Sequence, residues 1–288
     1  MIYLYWYNNA NFGDSLSYYI VKEISGEDIR FKFPFSVKRL AHNILSCAKF
    51  LLYGNRKMAS YQLSFTLKPV LIAVGSLLEA STKNAVCWGT GMAQQNKIPS
   101  GGRFIMTRGF LSKKILEDSG YTVESKICGD PAFLMPVIFN PVVANNKQKV
   151  GIIPHVSQVE VVKNILSKKN EFEIIDFRST NVEENISILK SCSFVYSSSL
   201  HGIILCHAYG IPCLWFYFTE LGGGKFKFYD YLSSVGIEKY EPLTLDEVIS
   251  GKRLPIDYEL VSSSVIKTIQ KELLKRAPFV VKKKYDSY

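Results

Sequence analysis

In the stretch Ser197-Ser198-Ser199-Leu200-His201-Gly202 a histidine stands where three serines give way to a helical pattern. The pattern runs for about two and a half turns and is stopped by Gly210 and Pro212. Ser193-Phe194-Val195-Tyr196 before it and Cys213-Leu214-Trp215-Phe216 after it read as buried strands. Serine is N-cap material, so the unbonded amides of Leu200, His201 and Gly202 are expected to point out of the strand ends. Such a helix start attracts anions, and a histidine beside it adds a titratable group. The expected chemistry is capture of a small anionic molecule. The plainer alternative is a capping histidine that only shapes the turn.

Other residues fit the same chemistry. Arg108-Gly109 stands at the carboxyl end of a strand over 103–107, and the guanidinium fork suits a carboxylate or phosphate. A surface salt bridge is its alternative. Asn11-Phe12-Gly13-Asp14 follows the first strand: the glycine lets backbone approach a ligand, while Asp14 offers a carboxylate or an N-cap. Cys128-Gly129-Asp130-Pro131 is a tight turn in which Asp130 buttresses the site, and His155 closes a strand over 150–153. Lys225 and Lys227 follow Gly222-Gly223-Gly224, a loop that either closes over a phosphate or is merely mobile. His42 and His207 read as surface and packing residues. Gly89-Thr90-Gly91 lacks the third glycine and downstream acid of a dinucleotide site, and no Walker spacing occurs.

Strands and helices alternate through both halves, which implies α/β architecture with parallel sheets and ligands at the carboxyl ends of strands. The polar, turn-rich stretch 140–149 divides the chain into expected units 1–145 and 146–288. Residues 37–53 repeat apolar side chains at 37, 40, 41, 44, 45, 48, 51 and 52 beside Lys38, Arg39 and Lys49, with Arg56 and Lys57 following. That segment either faces its own core or lies, through residues 37–57, on an anionic membrane. A final amphipathic helix is marked by Val261, Val265, Ile266, Ile269 and Leu273, and the lysine-rich tail at 282–288 reads as solvated.

The 288 residues are 47% hydrophobic and carry a net charge of +10, so a well-cored globular protein with anionic partners is expected. The basic residues are scattered with no nucleic-acid-binding module, so no nucleic-acid partner is expected. Six cysteines fall singly without metal or disulfide spacing; buried free thiols in a cytoplasmic setting, and no metal, are expected. Met1 to Tyr7 reads as a first strand rather than a signal peptide and no apolar run approaches membrane length, so a soluble or peripheral protein is expected.

Taken in order, Asn11-Phe12-Gly13-Asp14, Thr107-Arg108-Gly109-Phe110-Leu111-Ser112, Gly129-Asp130-Pro131-Ala132, and Ser199-Leu200-His201-Gly202 with Gly210-Ile211-Pro212 resemble the polysaccharide pyruvyl transferase family over nearly the whole chain. The resemblance implies two Rossmann-like domains in a GT-B-like arrangement with the active site in the interdomain cleft. It also implies transfer of pyruvate from phosphoenolpyruvate onto a sugar as a cyclic ketal, with no cofactor. The acceptor would be a capsule, exopolysaccharide or other glycan precursor, lipid-linked in one version. The enzyme would then work in the cytoplasm, peripheral at the inner face of the membrane. Many members carry Arg where Ser199 stands, which leaves open whether Lys225, Lys227 or Arg108 supplies that charge. In this reading Arg108, Ser199, Leu200, His201, Gly202, Lys225 and Lys227 bind the donor. His201 is the proton donor and Asp14 the base, with His155 its alternative; Asn11, Gly13 and Asp130 line the cleft. The rivals are a nucleotide-sugar glycosyltransferase of the same architecture and a non-catalytic glycan-binding protein.

Overall fold

β-Branched and aromatic runs closed by small-residue turns form the strands, and amphipathic stretches between them form the helices. The computed structural model describes residues 1–7, 12–143, 149–219, 224–286 and 288, apart from the side chains of Asp14 and Lys57. The first half holds β1 (Ile2–Tyr5), α1 (Phe12–Ser25), β2 (Ile29–Phe31), β3 (Phe33–Pro34), α2 (Val37–Leu52), α3 (Arg56–Gln62), β4 (Phe65–Thr66) and β5 (Val70–Ile72). It continues with β6 (Ala85–Trp88), β7 (Arg103–Met106), α4 (Phe110–Asp118) and α5 (Met135–Ile138). The second half begins with β8 (Val150–Ile153), α6 (Val159–Leu166), β9 (Phe172–Ile174), α7 (Val182–Ser191), β10 (Phe194–Ser197), α8 (Leu200–Ala208) and β11 (Cys213–Trp215). It ends with α9 (Phe226–Val235), α10 (Leu245–Ile249), α11 (Ile256–Glu259) and α12 (Ser263–Lys275).

The chain is mixed α/β with parallel sheets, as expected. One sheet runs β2-β1-β5-β6-β7 and the other β11-β10-β8-β9, every pairing being parallel. β3 and β4 form a separate two-stranded pair. In each large sheet the leading strand, β1 or β8, lies between the second and third, so the winding reverses beside it. Ligands of such sheets sit at the carboxyl ends of the strands at that reversal. The expected boundary at 145 falls between the two sheets, among residues outside the described set.

A single apolar cluster joins the sheets, running from Leu4 and Phe12 through Phe133 and Met135 to Ile153, Val195 and Ile204. Two smaller clusters lie elsewhere, one around β5, β6 and β7, the other around β8, β10 and β11. α12, grouped by sequence with the second unit, returns to the first. Trp88 Nε1 donates to Leu273 O at 3.1 Å and Gln270 Nε2 to Phe133 O at 2.9 Å.

Two elements differ from expectation. α2 buries only Asn43 and Cys47, and its apolar stripe faces outward, with Leu45 73% and Leu52 87% exposed. The stripe therefore does not face the protein's own core. The ridge beside it does so instead, where Asn43 Nδ2 donates to Gln62 O at 2.8 Å. Lys225 and Lys227, expected in a loop, stand at the head of α9, as its N-cap and in its first turn. No described helix is long and apolar enough to cross a membrane.

Candidate active site

The reversal point of the second sheet is built from the ends of β8 and β10. The chain leaves β8 through Pro154 to His155, whose amide donates to Ser198 Oγ at 2.9 Å and whose Nδ1 lies 2.8 Å from Ser157 Oγ. The Ser198 hydroxyl donates onward to Gln158 Oε1 at 2.8 Å, and the Ser197 hydroxyl to Ser199 O at 2.9 Å. Ser199 takes the N-cap position of α8 with extended backbone, but its hydroxyl makes no cap bond. The three serines thus do not cap the helix as their sequence suggests: two are used to tie β10 to its neighbours, and the third leaves the first-turn amides without a side-chain acceptor.

His201, in that first turn, reaches across to the first sheet. Its ring covers Gly13 so closely that a β-carbon on the glycine would come within 2.1 Å of Nδ1. Gly13 lies in the first turn of α1, just beyond the end of β1, so the two reversal points face each other. The amide of Phe12 donates to Phe177 O at 2.8 Å, and the two phenyl rings pack at 4.2 Å, fixing the approach. Nε2 of His201 is shut off from solvent with no hydrogen-bond partner. Asn11 and the side chain of Asp14 lie outside the described residues.

Arg108 projects from the carboxyl end of β7 and is wholly buried. Its Nε and Nη2 donate to Asp230 Oδ2 at 3.1 and 2.7 Å, Nη2 also to Met92 O at 2.8 Å, and Nη1 to Ser76 Oγ at 2.6 Å. The guanidinium expected to meet the donor is thus engaged in a salt bridge, and not at the surface as its alternative had it but in the interior, between the end of the first sheet and α9. Ser112 N and Oγ occupy the remaining valences of Asp230 at 2.7 and 2.8 Å. α9 approaches the head of α4 so tightly that a β-carbon on Gly109, the N-cap of α4, would lie 1.7 Å from Asp230 O.

Basic groups gather around His201. Lys227 and Arg108 lie within electrostatic reach of one another. Burial, then those two charges, brings the His201 imidazole down to about 3. Burial and Lys227 bring His155 down to about 4. Burial and Arg108 bring Lys227 down to about 8, so it still carries its proton at neutral pH. A buried lysine whose charge is disfavoured by a neighbouring cation is stabilised by an incoming anion. Lys225 points elsewhere: its ammonium pairs with Glu241 and lies 5.6 Å from the Tyr217 ring centroid. Asp130 is buried in its turn, its Oδ1 accepting from Ala132 N at 2.9 Å, and burial lifts its carboxyl to about 7. His207, read as packing, is buried with Nδ1 2.7 Å from Tyr231 Oη.

Asp230 and Ser76 are the residues that the sequence did not reveal. An acid inside the apolar run Phe228-Tyr229-Asp230-Tyr231-Leu232 of a helix was the available signal for a buried cation partner.

The family model described as polysaccharide pyruvyl transferase matches residues 11–219, from the residue before α1 to just past β11. The chain belongs to that family. It is therefore a transferase, and pyruvyl transfer to a glycan is the activity that the family suggests. It is also similar to "Uncharacterized protein L143" of Acanthamoeba polyphaga mimivirus, 28% identical over 235 residues, covering 75% of this chain and 81% of that protein. No solved structure matches it.

Proposed function

We propose that this pyruvyl transferase takes phosphoenolpyruvate as its donor, without a cofactor, and forms a cyclic pyruvate ketal on two hydroxyls of a glycan precursor. The placing of Lys227 and Arg108 about His201, at the uncapped start of α8, is the observation that carries this reading. The donor's phosphate would lie on the amides of Leu200, His201 and Gly202, with Lys227 beside it. Lys227 then supplies the charge that many members take from an arginine at position 199, where this chain has serine. Arg108 adds long-range charge while Asp230 holds it in place, and Lys225 is bound to Glu241 at the rim.

The reaction balances as follows. One acceptor hydroxyl and then a second add to C2 of the enol phosphate, the C–O bond to phosphate breaks, and C3 gains a proton. Of the two hydroxyl protons lost, one is matched at C3 and the other leaves with phosphate. His201 is neutral in the empty site. A bound trianion raises its pKa, so it takes up a proton and stands ready to deliver it to C3. Asp14, one residue after the glycine that His201 covers, is the proposed base, with His155 the alternative. The acceptor is proposed to be lipid-linked and met at the inner face of the membrane.

Calorimetry with phosphoenolpyruvate in buffers of different ionisation enthalpy tests the donor. Uptake of donor with net proton uptake is expected, and Lys227→Ala should weaken binding by about tenfold or more, as for loss of a charged hydrogen bond. Release of inorganic phosphate on adding acceptor supports ketal formation. Release of a nucleoside diphosphate from a nucleotide sugar, or no donor uptake by folded protein, would overturn it.

A further inference from the structure

We propose that the α2–α3 hairpin is a membrane-docking element that seats the protein on an anionic bilayer. Helix α2 turns its apolar stripe outward, exposing Val37, Ile44, Leu45, Leu51, Leu52 and Tyr53. The two helices pack on one another, and among their described side chains only Asn43, Cys47 and Ala59 are buried. An exposed apolar face of this kind is unusual unless something covers it.

Charge identifies the occupant. Residues 29–78 contain eight lysines and arginines (30, 32, 38, 39, 49, 56, 57 and 68) and no aspartate or glutamate, so they account for eight of the chain's net +10. The acids that flank this stretch are Asp28 and Glu79, and Glu79 Oε1 is taken up by the amides of Ala93 and Gln94 at 2.6 and 3.0 Å. Lys38, Lys49, Arg56 and Lys68 are exposed. An apolar helix face bordered by basic residues with no acids between them matches the boundary between acyl chains and anionic headgroups.

The hairpin is also rooted at the reacting end of the molecule. Arg39 Nη2 donates to Ala80 O at 3.3 Å, and the guanidinium lies 5.7 Å from the ring centroid of Tyr5, the last residue of β1. Docking through α2 therefore brings the carboxyl end of the first sheet close to the bilayer. Resting on the proposed function, this geometry suits an acceptor whose sugar is tethered to a lipid.

Sedimentation with vesicles of phosphatidylcholine alone, or mixed with phosphatidylglycerol, tests docking independently of the reaction. The full chain should pellet with the mixed vesicles at about 0.05 M salt and be released at about 0.5 M. Lys49→Gln should lower partitioning about fivefold. Leu45→Glu with Leu52→Glu should abolish it while circular dichroism and phosphoenolpyruvate uptake stay unchanged. Should that pair misfold, Leu52→Cys carrying a polarity-sensitive dye should shift to the blue on mixed vesicles. Protein that stays in the supernatant at low salt, equal binding to neutral vesicles, or a dimer that Leu45→Glu splits would each overturn the proposal. Failure of phosphoenolpyruvate uptake with vesicle binding intact would instead count against the donor assignment alone.

Discussion

Arg108 and Asp230 are 122 positions apart, yet two hydrogen bonds join them inside the protein. A buried pair of this kind contributes little net stability against an apolar replacement, but removing one partner leaves an uncompensated charge. Asp230→Asn should therefore cost about 3–5 kcal/mol in urea denaturation, and more than Lys225→Ala, which frees a surface glutamate. An Asp230→Asn protein as stable as the parent would show that the pair is not buried as described. Arg108 was legible in the sequence as a cation at a strand end, because strand ends and guanidinium chemistry are local. Its partner was not, since only the packing of α9 against α4 through Gly109 brings the acid within reach. Lys225 and Lys227 look equivalent in sequence, but their position at a helix start sends one to Glu241 and the other toward His201.

At the scale of elements, the decisive contact is between the starts of α1 and α8. Helix α8 carries His201 on its first turn, and α1 offers a glycine where any side chain would strike the imidazole ring. Gly13→Ala should displace the ring and reduce kcat about a hundredfold or more, as expected for loss of a positioned proton donor. Its thermal stability should fall as well, because the ring is enclosed, so kcat is compared well below the melting temperature. An alanine variant with full kcat would remove His201 from the reaction. Most of the strands and the longer helices could be read from period and punctuation, because those patterns are carried by neighbouring residues. The direction of the α2 stripe could not: helical period says that one face is apolar, not which face the rest of the chain will cover.

For the molecule as a whole, three buried or half-buried histidines set the response to acid. The pKa values of His155, His201 and His207 are depressed to about 4, 3 and 3, chiefly by burial. Between those values and the ordinary histidine pKa the unfolded chain binds more protons than the folded one, so stability falls as pH drops below about 6.5. Asp130, lifted to about 7, acts in the opposite sense: the folded form holds its proton longer, and stability falls as pH rises from about 4 to 7. Three groups against one leave the histidines dominant. The urea midpoint is expected to be lower at pH 5 than at pH 7.5, and His207→Gln should flatten the difference; a midpoint unchanged across that span would contradict the burial of these rings.

The shared core has a consequence for how the chain can be divided. Because α12 lies against Trp88 and Phe133 while α1 packs on Phe177, each portion completes the other's interior. A gene cut between β-strands eight and its predecessor would yield two polypeptides, neither able to fold unaided. Produced together, they should find one another and rebuild the enzyme as a noncovalent pair, without any peptide link.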